Sequence, residues 1–106
     1  MTLTEQEFRV KSDEALSQCR QALLPLADQQ GFEVELQNGV LDLVFEEPRE
    51  SKFVVSPNAP VRQIWVSAMS RSYKLAWDDG RGTFALNDET LINLLDRLAR
   101  EFLANA

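Results

Sequence analysis

The sequence contains no histidine, and Cys19 is its only cysteine. The absence of histidine excludes Ser-His-Asp and Cys-His catalysis, histidine zinc sites and the iron site built from two histidines and a carboxylate. A single cysteine excludes an intramolecular disulfide and a thiolate cage for a metal ion. The four glycines do not have G-x-G-x-x-G or Walker spacing, so no phosphate-binding loop is indicated. We therefore do not expect an enzyme, and carboxylate chemistry and surface recognition remain as functions.

Basic residues are scarce relative to acidic ones. Eleven Lys and Arg stand against seventeen Asp and Glu, which gives a formal net charge of -6. Nucleic-acid binding needs a basic surface, so this balance argues against it and favours a cation or a basic protein surface as partner. The sequence shows no signal-peptide pattern, and no apolar run approaches the roughly 18 residues that span a bilayer. We expect a cytoplasmic protein that does not enter a membrane.

The length of 106 residues fits one domain, so we expect a single domain over residues 1–106. Its first helix has a clear start, because Thr4 and Glu7 are spaced as a capping box, and Leu3 and Phe8 occupy the positions of a hydrophobic staple. Apolar residues then recur on one helical face: Phe8, Ala15, Leu16, Cys19, Leu23 and Leu26. The pattern predicts a helix from about residue 5 into the mid-twenties. Pro25 should kink or end it, because an interior proline costs about 3 kcal/mol.

Six short strands are predicted after this helix. Two alternating runs flank Asn38-Gly39, the pattern of a β-hairpin with a type I′ turn. Further strands are expected at 52–55, about 61–69, 72–78 and 83–86, with the proline-bounded segment 56–60 as a connection. Asn87, followed by Asp88 and Glu89, predicts the N-cap and first turn of a second helix.

The apolar residues of that second helix keep a helical period: Leu91, Leu94, Leu95, Leu98 and Phe102. The element order is therefore helix, six mostly antiparallel strands, helix. It predicts an α+β two-layer sandwich in which both helices cover one face of the sheet and the other face meets water.

Trp65 is predicted to lie on the water-facing side of this sheet. The residues that alternate with it, and should face the core, are Ile64, Val66 and Ala68. An exposed indole is a common anchor in protein interfaces, and Gln63 and Arg62 beside it would add directional polar contacts. Packing across neighbouring strands is the alternative role for the indole. Trp65, Gln63 and Arg62 are therefore candidate partner-binding residues.

Carboxylates are predicted to face each other across the first hairpin. A two-residue turn at 38–39 sets Glu35 opposite Asp42, with their Cβ atoms about 5 Å apart, and Glu33 shares their face. Opposed like charges destabilise a sheet, and a hard cation would relieve the repulsion. Oxygen ligands suit iron, manganese, magnesium or calcium without choosing among them. The alternative is that these carboxylates are simply solvated and screened by salt.

Three segments, in this order and separation, resemble the frataxin/CyaY family: NGVLDLVFE (38–46), PVRQIWVSA (60–68) and LNDETLINLL (86–95). The similarity runs from Glu7 to about Leu98, and the tetrad Gln63–Val66 is its most distinctive part. The resemblance implies a non-enzymatic protein that docks on the cysteine desulfurase and scaffold that assemble iron–sulfur clusters and regulates that assembly. It also implies weak, surface-bound iron (Fe²⁺ or Fe³⁺) on an acidic ridge, with no tightly bound cofactor.

By the same resemblance, the ridge follows the exposed side of the first helix and continues onto the first strand. Together with the hairpin argument, this gives the candidate metal ligands Glu33, Glu35, Asp42, Asp28, Glu14 and Asp13. Arg20 stands where relatives often carry a carboxylate, so we rank protein docking above iron delivery. The rival interpretation is a small acidic chaperone of the type III secretion kind, which binds an effector segment along a sheet or helix face. Such chaperones are usually dimers, whereas the resemblance to the frataxin/CyaY family implies a monomer.

Overall fold

The computed structural model describes residues 3–105, which form a two-layer α+β sandwich. In chain order the elements are α1 (Glu5–Gln30), β1 (Glu33–Gln37), β2 (Val40–Phe45), β3 (Ser51–Asn58), a 3-10 turn (Ala59–Val61), β4 (Gln63–Ala68), β5 (Arg71–Asp78), β6 (Thr83–Leu86), β7 (Glu89–Thr90) and α2 (Leu91–Ala104). The strands follow one another in the sheet in chain order, and every neighbouring pair is antiparallel. The predicted fold class is confirmed. The ends of the domain predicted over 1–106 lie outside the described residues.

The core lies between the two helices and one face of the sheet. The sheet contributes buried side chains at alternate positions: Leu41, Leu43, Phe45, Phe53, Val55, Ile64, Val66, Leu75 and Phe84. Phe8 of α1 packs edge-on against Phe84, and Phe102 of α2 packs against Phe45 and Phe53. Both helices therefore cover the same face, and the side chains that alternate with the core positions point to the opposite face.

The predicted start of α1 is confirmed. The Thr4 hydroxyl accepts a hydrogen bond from the Glu7 amide at 3.1 Å, and the Thr4 amide donates to the Glu7 carboxylate at 2.9 Å. This reciprocal pair satisfies two amides that the first turn of a helix leaves without partners. Leu3 and Phe8 are both buried, as a hydrophobic staple requires.

The helix continues past Pro25 to Gln30. A kink or an early end was predicted at this proline, and the early end is wrong. Gly31 then caps it with φ 78°, and the Gly31 amide donates to the Ala27 carbonyl at 2.8 Å. Leu23 and Leu26 are buried on either side of the proline in sequence. Their packing against the core outweighs the hydrogen bond that the proline removes, because most helix stability in proteins comes from tertiary contacts.

The first hairpin has the predicted register and turn. Glu35 pairs with Asp42 and Gln37 pairs with Val40. Asn38 and Gly39 both have positive φ, 54° and 75°, as a type I′ turn requires.

The entry to α2 differs from the prediction. Asn87 and Asp88 form a turn between β6 and β7, with Asn87 at φ 55°, so they do not cap the helix. The N-cap is Thr90, whose hydroxyl accepts from the Asn93 amide at 3.3 Å. Asparagine suits both a helix cap and a left-handed turn position, so the sequence pattern alone does not distinguish the two. The turn creates β7, so the sheet has seven strands and not six.

The third strand is also longer than predicted. It runs over Ser51–Asn58 and includes residues 56–58 of the segment assigned to a connection. Pro57 lies opposite Ile64 in the β3–β4 pairing. The added residues extend the sheet beside β4, the strand that carries Trp65. No helix within residues 3–105 is long and apolar enough to cross a membrane.

Candidate functional site

The face of the sheet that points away from the helices is the candidate docking surface, here called the open face. Its side chains on β1 to β5 include, taken strand by strand, Glu33, Glu35, Gln37, Val40, Asp42, Val44, Lys52, Val54, Ser56, Gln63, Trp65, Ser67, Ser72 and Lys74. Carboxylates lie at the β1–β2 end, valines in the middle, and serines, the indole and a lysine toward β5. Of these side chains, the three carboxylates lie on β1 and β2 and the two lysines lie on β3 and β5.

Trp65 lies on the open face, as predicted, with 37% of its surface exposed. Its indole N–H donates to the Gln63 side-chain oxygen at 2.9 Å. From the neighbouring strand, the Lys74 ammonium lies 4.8 Å from the centre of the indole ring, within the range of a cation–π contact. These two contacts hold the indole in one orientation on the open face.

A shallow cavity of about 360 Å³ lies beside the indole. It is lined by Val54, Ser56, Trp65, Val66, Ser67, Ser72 and Lys74. Ser56 pairs with Trp65 across β3 and β4, and Ser67 pairs with Ser72 across β4 and β5. Small hydroxyl side chains next to a large ring leave this depression.

Arg62, the third residue predicted to bind a partner, is engaged elsewhere. It has a left-handed backbone at φ 54°, and its Nε donates to the Leu3 carbonyl at 3.2 Å. Its Nη1 donates to the Ala59 carbonyl. The guanidinium thus ties Leu3, the residue before the N-cap of α1, to the 3-10 turn that precedes β4. Trp65 and Gln63 are brought together by the structure, whereas the Arg62 side chain is committed to backbone carbonyls.

The candidate carboxylates fall into two groups. Glu35 and Asp42 face each other directly on the hairpin, and Glu33 lies on the same face opposite Val44. Asp13, Glu14 and Asp28 are exposed on α1. Asp13 and Asp28 are fifteen residues apart on the helix, about 22 Å, so one ion does not touch both.

These carboxylates do not form a metal-binding cluster. Within the described range, no three Asp, Glu, His or Cys side chains are grouped closely enough to hold a metal ion. Arg20, half-buried on α1, lines a groove of about 440 Å³ together with Glu35 and the rest of β1 from Val34 to Gln37. Arg20 and Glu35 thus border the same groove at the β1 edge of the sheet.

Cys19 takes no part in such chemistry. It is fully buried in the core, and burial raises the pKa of its thiol to about 12. The thiol therefore stays protonated at neutral pH and is neither a nucleophile nor a metal ligand.

Sequence reasoning gave Lys74 no role, although it lies opposite Trp65. Glu35 was paired with Asp42 by counting residues outward from a two-residue turn. The same counting from a turn at Met69-Ser70 pairs Trp65 with Lys74. That turn has φ values of 51° and 64°, but it contains no glycine or asparagine to indicate it.

The family model for the frataxin-like domain matches residues 1–105 of the chain. The chain belongs to the frataxin-like family. The "Iron-sulfur cluster assembly protein CyaY" of Pseudomonas fluorescens is 31% identical over 106 residues, covering 96% of this chain and 91% of the relative. The protein of the same name from Cupriavidus metallidurans is 32% identical over 87 residues, covering 76% and 77%. The predicted resemblance to the frataxin/CyaY family is confirmed.

A solved structure supports the frataxin fold independently. Frataxin from Psychromonas ingrahamii superposes with a TM-score of 0.68 over 97% of this chain and 92% of that chain, at 17% sequence identity. At this identity the likeness concerns the fold alone.

Proposed function

We propose that this frataxin-like chain is a single-domain, non-enzymatic regulator of iron–sulfur cluster assembly in the cytoplasm. It docks on the complex of cysteine desulfurase and scaffold protein. Family membership over nearly the whole chain and the name shared by the CyaY relatives support the process. The observation that carries the docking role is Trp65, which lies exposed on the open face with its ring already oriented.

The open face suits a protein partner better than a small ligand. Its depression is shallow, and its centre combines an aromatic side chain with the half-buried Val40, Val44 and Val54. Interfaces of this kind concentrate their binding energy in a few aromatic anchors within a ring of weaker contacts. Around Trp65 the polar ring consists of Gln63, serines and Lys74.

The acidic end of the open face should meet basic residues of the partner. Glu33, Glu35 and Asp42 lie there, and the chain as a whole has a net charge of -6. Opposite charges across an interface speed association and fix its register more than they raise affinity. The exposed carboxylates of α1 add to the same negative field.

The binding experiment uses purified desulfurase–scaffold complex titrated with the chain and followed by calorimetry, with light scattering of the chain alone. We expect saturable binding and a monomer. The rival role, a type III secretion-type chaperone, predicts a stable dimer and no affinity for the complex. That second result would contradict the proposed function.

We also propose that iron binds weakly at the hairpin, as transient cargo. The support is the direct opposition of Glu35 and Asp42, with Glu33 on the same face. A divalent ion would relieve their repulsion, and carboxylate oxygens suit hard cations. Two carboxylates on an open sheet surface do not enclose an ion, so the affinity should be low. Asp13, Glu14 and Asp28 would raise the local cation concentration without joining the same ion.

Neutralising the opposed pair tests this iron site. In the variant Glu35→Gln with Asp42→Asn, paramagnetic broadening of β1 and β2 amide signals by Fe²⁺ should disappear, because both proposed ligands lose their charge. The matched control is Glu50→Gln with Asp88→Asn, which removes two exposed charges away from the hairpin. This control should broaden as the unaltered protein does. Broadening that persists on β1 and β2 in the first variant would refute the site.

A further inference from the structure

Lys74 has no carboxylate partner among the described residues, although acids outnumber bases in this chain. The ion pairs within residues 3–105 all use arginines: Arg9, Arg81, Arg97 and Arg100. The Lys74 ammonium instead lies 4.8 Å from the centre of the Trp65 ring. An exposed positive charge thus lies on β5 of the open face, four strands from the acids on β1.

The cavity beside Trp65 offers the donors that a carboxylate needs. Lys74 supplies an ammonium group, and Ser56, Ser67 and Ser72 supply hydroxyls along the same depression of about 360 Å³. Ionised oxygens form their strongest hydrogen bonds with charged donors, and serine hydroxyls rotate to add further ones. The indole and Val54 form apolar walls that exclude water once the cavity is covered. An ion pair there is stronger than one in open solvent.

We propose that the cavity receives an aspartate or glutamate side chain of the protein partner. Lys74 neutralises the incoming carboxylate, and Ser67 and Ser72 donate hydrogen bonds to it. The proposal rests on the proposed function, because it requires that a protein covers the open face. It assigns a cationic subsite beside the indole anchor.

The position of the subsite also sets the direction of docking. Glu35 on β1 and Lys74 on β5 are four strand spacings apart, about 19 Å. A partner must therefore place basic groups over the hairpin and an acidic group over the cavity. Reversing the partner would set like charges against each other at both ends, which costs binding energy and excludes that orientation.

A second copy of the chain is a poorer occupant than another protein. Twofold pairing of two open faces would bring the acids of one copy toward Lys74 of the other. Each copy has a net charge of -6, however, so the two repel each other at long range. A partner with a basic surface and a local acid satisfies both ends of the open face.

The first test compares two lysines on the same face. Lys74→Met should weaken binding to the purified desulfurase–scaffold complex about tenfold, because it leaves the partner's acid without a counter-charge. Lys52→Met removes an equal charge from β3, away from the cavity, and should change affinity less than about twofold. Lys74→Arg should keep affinity within about threefold, because the cation is retained. Equal losses for Lys74→Met and Lys52→Met would overturn the subsite.

A double-mutant cycle separates a direct role of Lys74 from mere support of the indole. If Lys74 only holds the Trp65 ring, Lys74→Met has no further effect once Trp65 is alanine, and the proposal fails. If Lys74 binds the partner's acid, the loss of several-fold persists in the Trp65→Ala protein. The double variant Ser67→Ala with Ser72→Ala should show a smaller loss of the same kind.

The remaining outcomes distinguish this inference from the proposed function. If Trp65→Ala weakens binding to the complex and Lys74→Met does not, the subsite is overturned and the docking role remains intact. Failure of the unaltered chain to bind the complex rejects both. A concentration-dependent dimer of the chain alone, abolished by Lys74→Met, would assign the cavity to a second copy and overturn the inference.

Discussion

Phe45→Ala is expected to lower the free energy of unfolding by about 4 kcal/mol. Phe45 is 1% exposed, and its ring centre lies 4.6 Å from that of Phe102, 4.7 Å from Phe32 and 4.9 Å from Phe53. Truncation removes contacts to both layers and leaves a cavity that these rings fill only partly. A domain of this size has about 5–15 kcal/mol of stability, so the loss is a large fraction of the total.

Urea unfolding followed by tryptophan fluorescence measures this change. The matched control is Val44→Ala, the preceding residue on β2, which points to the open face and is half-buried. It should cost about 1 kcal/mol or less, because no enclosed cavity forms. Similar losses for the two variants would contradict the assignment of β2 side chains to a core face and an open face.

Trp65→Ala is expected to weaken binding to the desulfurase–scaffold complex by about 30-fold or more. The estimate follows from the cost of truncating an interface anchor, about 2 kcal/mol or more. The indole is 37% exposed and lies outside the core, so the free energy of unfolding should change by about 1 kcal/mol or less. Calorimetric titration gives the affinity, and urea unfolding gives the stability of the same sample.

The control for this variant is Val10→Ala. Val10 is an exposed apolar residue on α1, 52% accessible, in the layer opposite the open face. Its removal should leave the affinity for the complex unchanged. A folded Trp65→Ala protein that binds as tightly as the unaltered chain would show that the indole is not an anchor.

Local signals were enough to predict the start of α1 and the first hairpin. The capping box at Thr4 and the Asn38-Gly39 turn act through bonds between residues three or fewer positions apart, so sequence alone specifies them. The alternation around Trp65 was equally informative, because strand side chains change face at every residue. These features gave the register of the acidic pair and the exposure of the indole.

Predictions were wrong or incomplete where distant contacts, or a turn without the usual turn residues, determine the structure. The residues around Pro25 remain helical because Leu23 and Leu26 pack against the core. The cost of an interior proline, judged from the sequence, does not include this packing. The Arg62 side chain is directed by Leu3, 59 residues away in sequence. Lys74 was missed because the Met69-Ser70 turn lacks the usual turn residues, so its register with Trp65 was not visible.

The two tryptophans permit the most direct test of the claim that the open face docks the partner. Trp77 is the internal control, because it faces the core side, packs edge-on against Phe84 at 5.3 Å and donates its indole N–H to Asp79 at 2.8 Å. ¹⁵N-labelled chain is titrated with unlabelled desulfurase–scaffold complex at substoichiometric ratios. We predict that the Trp65 indole signal shifts or broadens well before that of Trp77. Loss of the Trp77 signal with the Trp65 signal unperturbed would place the partner on the helix side and contradict the account.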